Sequence, residues 1–302
     1  MSPNAHPKEQ PAPPGVAAGL FLLHDPDWRR KVFLGGLLLL VPFVGWFATL
    51  GYRKALIGRL FRGDQPPLPA WHGAAWSHIW EGLKAAGVIF AQYVPLFIIL
   101  AVLLVVRGAE VPIVLLAGAA VVAVFPIFAP LGFPLAVAYY AWAEVLHLGE
   151  AAGLVAAYTA ITFVIPAGFL QVSRTDRYLA AFRYHESLPF LVRNFWPYVV
   201  AWYRSIAMSL CGHFAVPFSP WGVVWCYLGI IYAFNRVLAD ELARRGELSP
   251  GSWFVRLDRE PIALEPAGRW AYRAVGYDTT VVRVGPAFVP LPRVVERFFA
   301  GR

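Results

Sequence analysis

Five stretches of the chain, Val32 to Tyr52, Ala85 to Val106, Val111 to Ala143, Ala151 to Ser173 and Ser205 to Asn235, run for 21 to 33 residues without a single Asp, Glu, Lys or Arg. A water-facing helix needs a polar face and a buried strand needs only about six apolar residues, so neither accounts for runs of this length. A bilayer core does, because its thickness of about 30 Å takes about 20 apolar residues of helix to cross. The composition agrees: 59% hydrophobic and 15% charged residues, with a mean hydropathy of +0.56. The predicted fold class is therefore all-α. It is a polytopic transmembrane helix bundle of about six to seven membrane segments, some proline-broken or re-entrant, with interfacial amphipathic helices and a small soluble β-rich C-terminal tail.

Lys and Arg number 26 against 18 Asp and Glu, a net charge of +8, and the surplus lies mainly between the apolar runs. Such a distribution reports membrane orientation rather than nucleic-acid binding. The expected partner is the lipid bilayer and not nucleic acid, with a protein partner or homo-oligomer left open. Cys211 and Cys226, the two cysteines, fall in the last run and read as reduced, lipid-buried thiols. Residues 1–20 lack a basic start followed by a long apolar core, which predicts no cleavable signal peptide and leaves the first apolar helix to direct insertion.

Three regions are expected: a disordered tail over 1–15, a multi-pass membrane domain over 16–245 and a soluble appendage over 246–302. The tail has five prolines and few apolar groups to offset its ordering entropy. Val16 to Leu23 is too short to span and is expected in the interface. Asp25-Pro26-Asp27 signals a helix start, ahead of Trp28 and the basic trio Arg29, Arg30 and Lys31 at headgroup level. Pro42 and Gly45 near the middle of the first run predict either a kinked crossing or a re-entrant hairpin. Arg53, Lys54, Arg59 and Arg62 close that segment, and Pro66, Pro67 and Pro69 break the chain.

Trp71, Trp76, Trp80 and Leu83 then recur at spacings of five, four and three, which predicts an amphipathic helix with aromatic anchors at the membrane surface. The run from Val111 exceeds one comfortable crossing and is divided by Pro126, Pro130, Gly132 and Pro134 into two short or broken helices. Ala151 to Leu170 crosses again. A basic loop bearing Arg174, Arg177, Arg183 and Arg193 follows, with a second amphipathic stretch from Tyr178 to Pro189. The last helices, Phe195 to Val216 and Trp221 to Ala239, are joined at Pro217 and Pro220. Ser252 to Leu257, Trp270 to Val275 and Thr279 to Val284 read as strands, and Pro292 to Phe299 as a short helix.

With two crossings in the proline-broken region, the basic loop after the first helix, the loop near Arg183 and the tail from Arg236 share one side. That side is expected to be the cytoplasm of a prokaryotic cell, with the C-terminal tail there. Arg29, Arg30 and Lys31 oppose this orientation if the first helix crosses and agree with it if that helix re-enters.

Several separated blocks resemble one known pattern: DPDWRRKVFLGGLLLLVPFVGWFATLGY, GDQPPLPAW and WEGLK, then Pro166, DRYLAAFRY, RNFWPYVVAW and CGHFAVPFSPWGVVWCYLGIIYAF. Over residues 20–240 the chain resembles the membrane family called domain of unknown function 4013. The resemblance implies a multi-helix membrane domain and carries no activity with it. Ala70, His72, Gly73 and Ala74 stand where many members have a more acidic loop, and Arg204 and His213 stand where apolar residues are expected.

No GxGxxG, P-loop, GxSxG, HExxH or paired CxxC is present, which favours a non-enzyme with no cofactor and no catalytic or metal site. The remaining candidates are polar groups at membrane depth. Arg204 would lie about 13 Å inside a helix starting near Phe195, where an arginine costs about 2.5–3.5 kcal/mol on insertion scales. A snorkelling or paired structural arginine is the bland reading; an anion-facing or gating group is the functional one. Glu144, His147 and Glu150 form an ExxHxxE run, half of a di-metal helix motif without its second half, so a solvated helix end is the expected role. His213 reads as an interfacial or core histidine before a proton relay. Three function classes follow: a non-catalytic scaffold or partner-binding protein, a small-solute or ion transporter or channel, and a lipid-modifying enzyme recruiting Glu144, His147 and His213.

Overall fold

The computed structural model describes residues 10–11, 20–41, 43–108, 129–214, 219–267, 271–284 and 287–290. Its elements in chain order are β1 (Gln10–Pro11), α1 (Trp28–Leu39), α2 (Val44–Arg62), α3 (Ala75–Val106), α4 (Ala129–Trp142), α5 (Leu148–Thr175), α6 (Tyr184–Arg193), α7 (Phe195–Phe214), α8 (Ser219–Arg244) and α9 (Trp253–Arg259), then β2 (Ala263–Pro266), β3 (Ala271–Ala274), β4 (Thr280–Val284) and β5 (Ala287–Pro290). The protein is mostly helical. Among the described residues three helices are long and apolar enough to cross a membrane: α3, α5 and the Pro220–Arg244 portion of α8. The expected count of six to seven segments is not confirmed among the described residues.

The reason is visible in the first apolar run. It is two helices, not one crossing: α1 has 12 residues, about 18 Å, which is short of the hydrocarbon thickness. Pro42 lies outside the described residues, but Phe43 beside it has φ 62°, and a Cβ on Gly45 would stand 1.6 Å from the Leu38 carbonyl oxygen. Glycine is required there because the backbone folds back on itself. Of the Val111 to Ala143 run, α4 is described and the preceding half lies outside the described residues.

The chain forms two compact units, residues 1–45, 52–76 and 194–302 in one, and residues 46–51 and 77–193 in the other. The C-terminal tail thus belongs to the first unit instead of standing apart from residue 246. In that unit α7 and α8 form an antiparallel hairpin. Near its turn a Cβ on Gly212 would lie 3.1 Å from the Gly222 carbonyl oxygen, and at its open end Asn194 meets Glu241. Helix α8 is enclosed, with 78% of its apolar window buried within the chain. Of the Val16 to Leu23 segment, expected in the interface, residues 20–23 are described and supply core: Phe21 and Leu22 have no exposed surface, and Phe21 stacks on Tyr232 with ring centroids 5.0 Å apart.

The tail departs from its strand reading in one place. Ser252 to Leu257 is helical because Ser252 caps α9, its hydroxyl accepting from the Val255 N–H at 3.4 Å, and Trp253, Phe254 and Leu257 form one buried face. Trp270 to Val275 and Thr279 to Val284 do contain strands, β3 and β4. They sit in an antiparallel meander ordered β1-β2-β3-β4-β5, in which Gln10 pairs with Leu264 and Pro11 with Ala263, within the stretch expected to be disordered. Pro292 to Phe299 lies outside the described residues.

The second unit contains α3 from Ser77, α4 to α6, and residues 46–51 of α2. In it α2 and α3 approach backbone to backbone: a Cβ on Gly51 would lie 1.7 Å from the His78 carbonyl oxygen, and one on Gly82 equally close to that of Phe47. Trp71 precedes α3 in a bend, so the tryptophan stripe does not belong to a separate surface helix. Residues from Ala75 continue into the apolar run as one helix of 32 residues.

Candidate functional site

The motif-bearing loops of the first unit are closed by a buried ion pair. Asp25 has no exposed surface; one carboxylate oxygen accepts from the Lys31 ammonium at 2.7 Å and from the Leu68 N–H at 3.1 Å, the other from the Asp27 N–H at 2.9 Å. Lys31 also donates to the Leu68 carbonyl at 2.9 Å, and the Trp71 indole donates to the Lys31 carbonyl at 2.8 Å. Trp71 stacks on Tyr52 at 4.2 Å, whose hydroxyl donates to the Pro69 carbonyl, and Arg59 donates to the Pro66 carbonyl at 2.7 Å. Proline has no N–H to donate, so a proline-rich loop cannot close itself with a backbone ladder, and here side chains hold its carbonyls. The DPDWRRK and GDQPPLPAW blocks are two halves of one clasp.

Two more closures finish this unit. The buried Asn194 amide donates to Glu241 at 2.6 Å, and Arg244 and Arg245 pair with the same carboxylate. Arg236 forms a two-pronged bond to Asp258 at 2.7 and 2.8 Å, fixing α9 against α8. At the tail, the Tyr277 hydroxyl and His24 Nδ1 share a hydrogen bond of 2.8 Å. Burial pushes the His24 imidazole below its ordinary range, with Glu260 acting the other way, and burial together with Glu260 raises the Tyr277 phenol.

In the second unit α3 and α5 run antiparallel and are tied at both ends. Arg107, one residue past α3, donates to His147 Nε2 at 2.9 Å and to Glu150 at 2.7 Å. Since guanidinium only donates, that imidazole nitrogen accepts. Glu150 also takes the His147 N–H at 2.9 Å, satisfying an orphan donor at the start of α5. At the other end the Tyr178 hydroxyl donates to the Glu81 carbonyl at 2.9 Å. Midway, the Tyr93 and Thr162 hydroxyls bond at 2.8 Å, and Tyr93, Tyr158 and Phe133 stack in sequence. Glu81 and Arg107 are 26 residues apart, about 39 Å along a helix. Between the ties the outer surface is apolar, with Ile98, Ile99, Val102 and Val105 more than half exposed.

The residues singled out by sequence do not form one constellation within either unit. Glu144 and His147 belong to the second unit and Arg204 and His213 to the first. Glu144 is exposed in the turn after α4 with φ 59°, and helix α5 begins only at Leu148, so ExxHxxE does not lie on one helical face. Arg107 takes the position beside His147 and Glu150 that a second carboxylate would need. Among the described residues no group of three metal-ligating side chains occurs. Arg204 is half-buried near the middle of α7 and has no hydrogen-bond or ion-pair partner among the described residues. The backbone of His213 is the penultimate residue of α7, and its side chain lies outside the described residues.

Of the expected anchors, Trp76 and Trp80 are 77% and 53% exposed, and Trp80 has Lys84 over its ring at 5.7 Å. Trp28 is half-buried, packing edge-on against Trp225 at 5.3 Å. Trp71 is not an anchor: it is buried in the clasp. Sequence reasoning missed Asp25, Lys31, Asn194, Glu241 and Arg107. Only the charge of Lys31 and Asp25 inside a recognisable block was a signal; Arg107 stands just past an apolar run, where any helix-end residue would.

A family model described as protein of unknown function (DUF4013) matches residues 34–219. The chain belongs to this family. The match starts inside α1 and ends at the first residue of α8, so DPDWRRK and most of the last block lie outside it. No curated relative and no solved structure matches the chain.

Proposed function

We propose that this member of the family is a multi-pass membrane protein of the cytoplasmic membrane with a non-catalytic role, as a scaffold or partner-binding protein. The observation that carries the reading is the α3/α5 pair. Its polar ties stand about 39 Å apart, close to a bilayer of about 40–45 Å including headgroups, and the surface between them is apolar. Helix α3 is about 48 Å long, so its first dozen residues, with Trp76, Trp80 and Lys84, project into the interface. The non-catalytic part rests on chemistry: among the described residues Asp25, Lys31, Glu241, Arg107, His147 and Glu150 are engaged in closing loops and helix ends. The end of the pair bearing Lys84, Arg174 and Arg177 faces the cytoplasm by its basic surplus, and the basic residues from Arg236 on assign the C-terminal tail to the cytoplasm by the same sequence rule.

A transporter or channel is the second reading, favoured by Arg204 at mid-helix and by prolines inside α3, α4 and α5. Flux of labelled ions and small solutes into proteoliposomes separates the two. The scaffold reading expects no uptake above empty vesicles from wild type or Arg204→Leu. Uptake by wild type that Arg204→Leu abolishes overturns it. A reporter fused after residue 302 that is active only in the periplasm reverses the proposed orientation.

A further inference from the structure

The segment after α5 turns back along the helix it has just left. Past Thr175 the chain makes a 3₁₀ turn, Tyr178–Phe182, and then α6, both packed on α5. A Cβ on Gly168 would lie 2.7 Å from the Ala181 carbonyl oxygen, so the turn reaches the level of Gly168. That residue is seven positions inside the end of α5, a depth of about 10 Å.

Helix α6 has two faces. Ser187, Phe190 and Leu191 are buried. On the outside run Tyr184, Leu188 and Val192, exposed by 41, 46 and 73%, and Leu179 in the preceding turn is 78% exposed. Spacing of four along the helix makes the first three one ridge. Beside it are the exposed residues His185, Pro189 and Arg193. From Arg174 to Arg193 the segment has four arginines against Asp176 and Glu186; Arg177 and Arg183 are exposed, the latter 3.1 Å from Glu186.

We propose that this segment is a docking surface for an anionic lipid leaflet. Leu179, Leu188 and Val192 enter the acyl boundary while Arg177, Arg183 and Arg193 meet lipid phosphates. The inference rests on the membrane reading above and adds to it the lipid class. Two independent features choose the occupant. An interfacial helix seats its apolar face about 5–10 Å into the headgroup and acyl boundary, the depth at which the turn is held, and the basic excess complements an anionic surface, not a neutral one.

The test uses the full chain with Cys211→Ala and Cys226→Ala, a nitroxide on Leu188→Cys or on Ala156→Cys, and vesicles of phosphatidylcholine alone or with phosphatidylglycerol. Accessibility to oxygen and to a water-soluble nickel chelate reports depth. The Ala156 label, on the exposed face of α5, should be in lipid in both vesicles; if it is in water, the membrane reading itself fails. The Leu188 label should be embedded in the anionic vesicles, and Arg177→Gln/Arg183→Gln/Arg193→Gln should lower its embedded-to-water ratio at least about tenfold, at about fivefold per arginine. High salt should do the same to the unsubstituted arginines, which removes misfolding of the triple variant as an explanation. A Leu188 label in water in anionic vesicles, with Ala156 in lipid, overturns the proposal. So does equal embedding in neutral and anionic vesicles with no effect of salt.

Discussion

The two units use the same kind of apolar helix for opposite purposes. In the first, α8 is enclosed by its own chain, 78% of its apolar window being buried, whereas for α3 and α5 in the second the figure is 39%. Hydropathy ranks the three in the other sense, at 1.4 for α8 against 2.7 and 1.8. Around α8 the protein supplies partners for polar groups, and the unit is accordingly full of them: the Asp25–Lys31 clasp, the Asn194–Glu241 pair and the Arg236–Asp258 fork. Around α3 and α5, among the described residues, the charged ties lie at the helix ends and the bonds between them are made by hydroxyls, as suits helices with an apolar outer face, where an unpaired polar group is costly. Charged residues follow whichever surroundings can satisfy them.

The clasp gives the strongest way to break this contrast. Asp25→Ala leaves a mostly buried Lys31 without its counter-ion, and the Leu68 and Asp27 N–H groups without an acceptor. A loss of about 3–5 kcal/mol is expected, read as a lower Tm in detergent. Hydrogen exchange should rise first in residues 52–76 and 253–259 and leave α5 protected; equal loss in both units would mean that they are not separate in stability. Gly82→Ala probes the other unit. The new methyl meets backbone rather than a side chain that can move, so at least about 1–3 kcal/mol should be lost, with α3 and the 46–51 turn losing protection while the clasp keeps it.

The smallest effect is a pH dependence confined to the first unit. Folding lowers the His24 pKa from 6.5 by burial, opposed in part by Glu260, so the native state prefers the neutral ring. Above pH 6.5 the ring is neutral folded or unfolded, and its contribution is fully present. As the pH falls below 6.5 and through the lower native value, the unfolded state takes up the proton first and stability is lost. His24→Phe should flatten that acid-side slope in a Tm-against-pH series. An unchanged slope would assign it to the carboxylates.

Particular elements explain what could be read in advance. Helices α5, α7 and α8 fall within a few residues of their expected bounds, because long uncharged runs ended by basic residues and prolines leave few alternatives. The family resemblance, too, was legible, in blocks spread over most of the matched region. The first run was ambiguous in sequence because a central proline allows either a kink or a turn. The choice fell to the backbone contact of Gly45 with Leu38, between residues too close in sequence for any pattern to show. Trp71 was misread for a related reason: its spacing fitted a surface stripe, but its indole had a carbonyl and a tyrosine ring to pack on that no periodicity encodes. Arg107 meets Glu150 across 43 positions, a pairing set by the lengths of two antiparallel helices.

By itself the sequence determined that much of this chain is helix too apolar for water, since charge is excluded over lengths that only hydrocarbon or a protein interior tolerates. The tertiary structure decided which helices the chain itself encloses and which keep an exposed apolar face, and which charges are engaged in closing loops. Burial is a property of neighbours brought together from distant positions, and a linear pattern records only what each segment can tolerate.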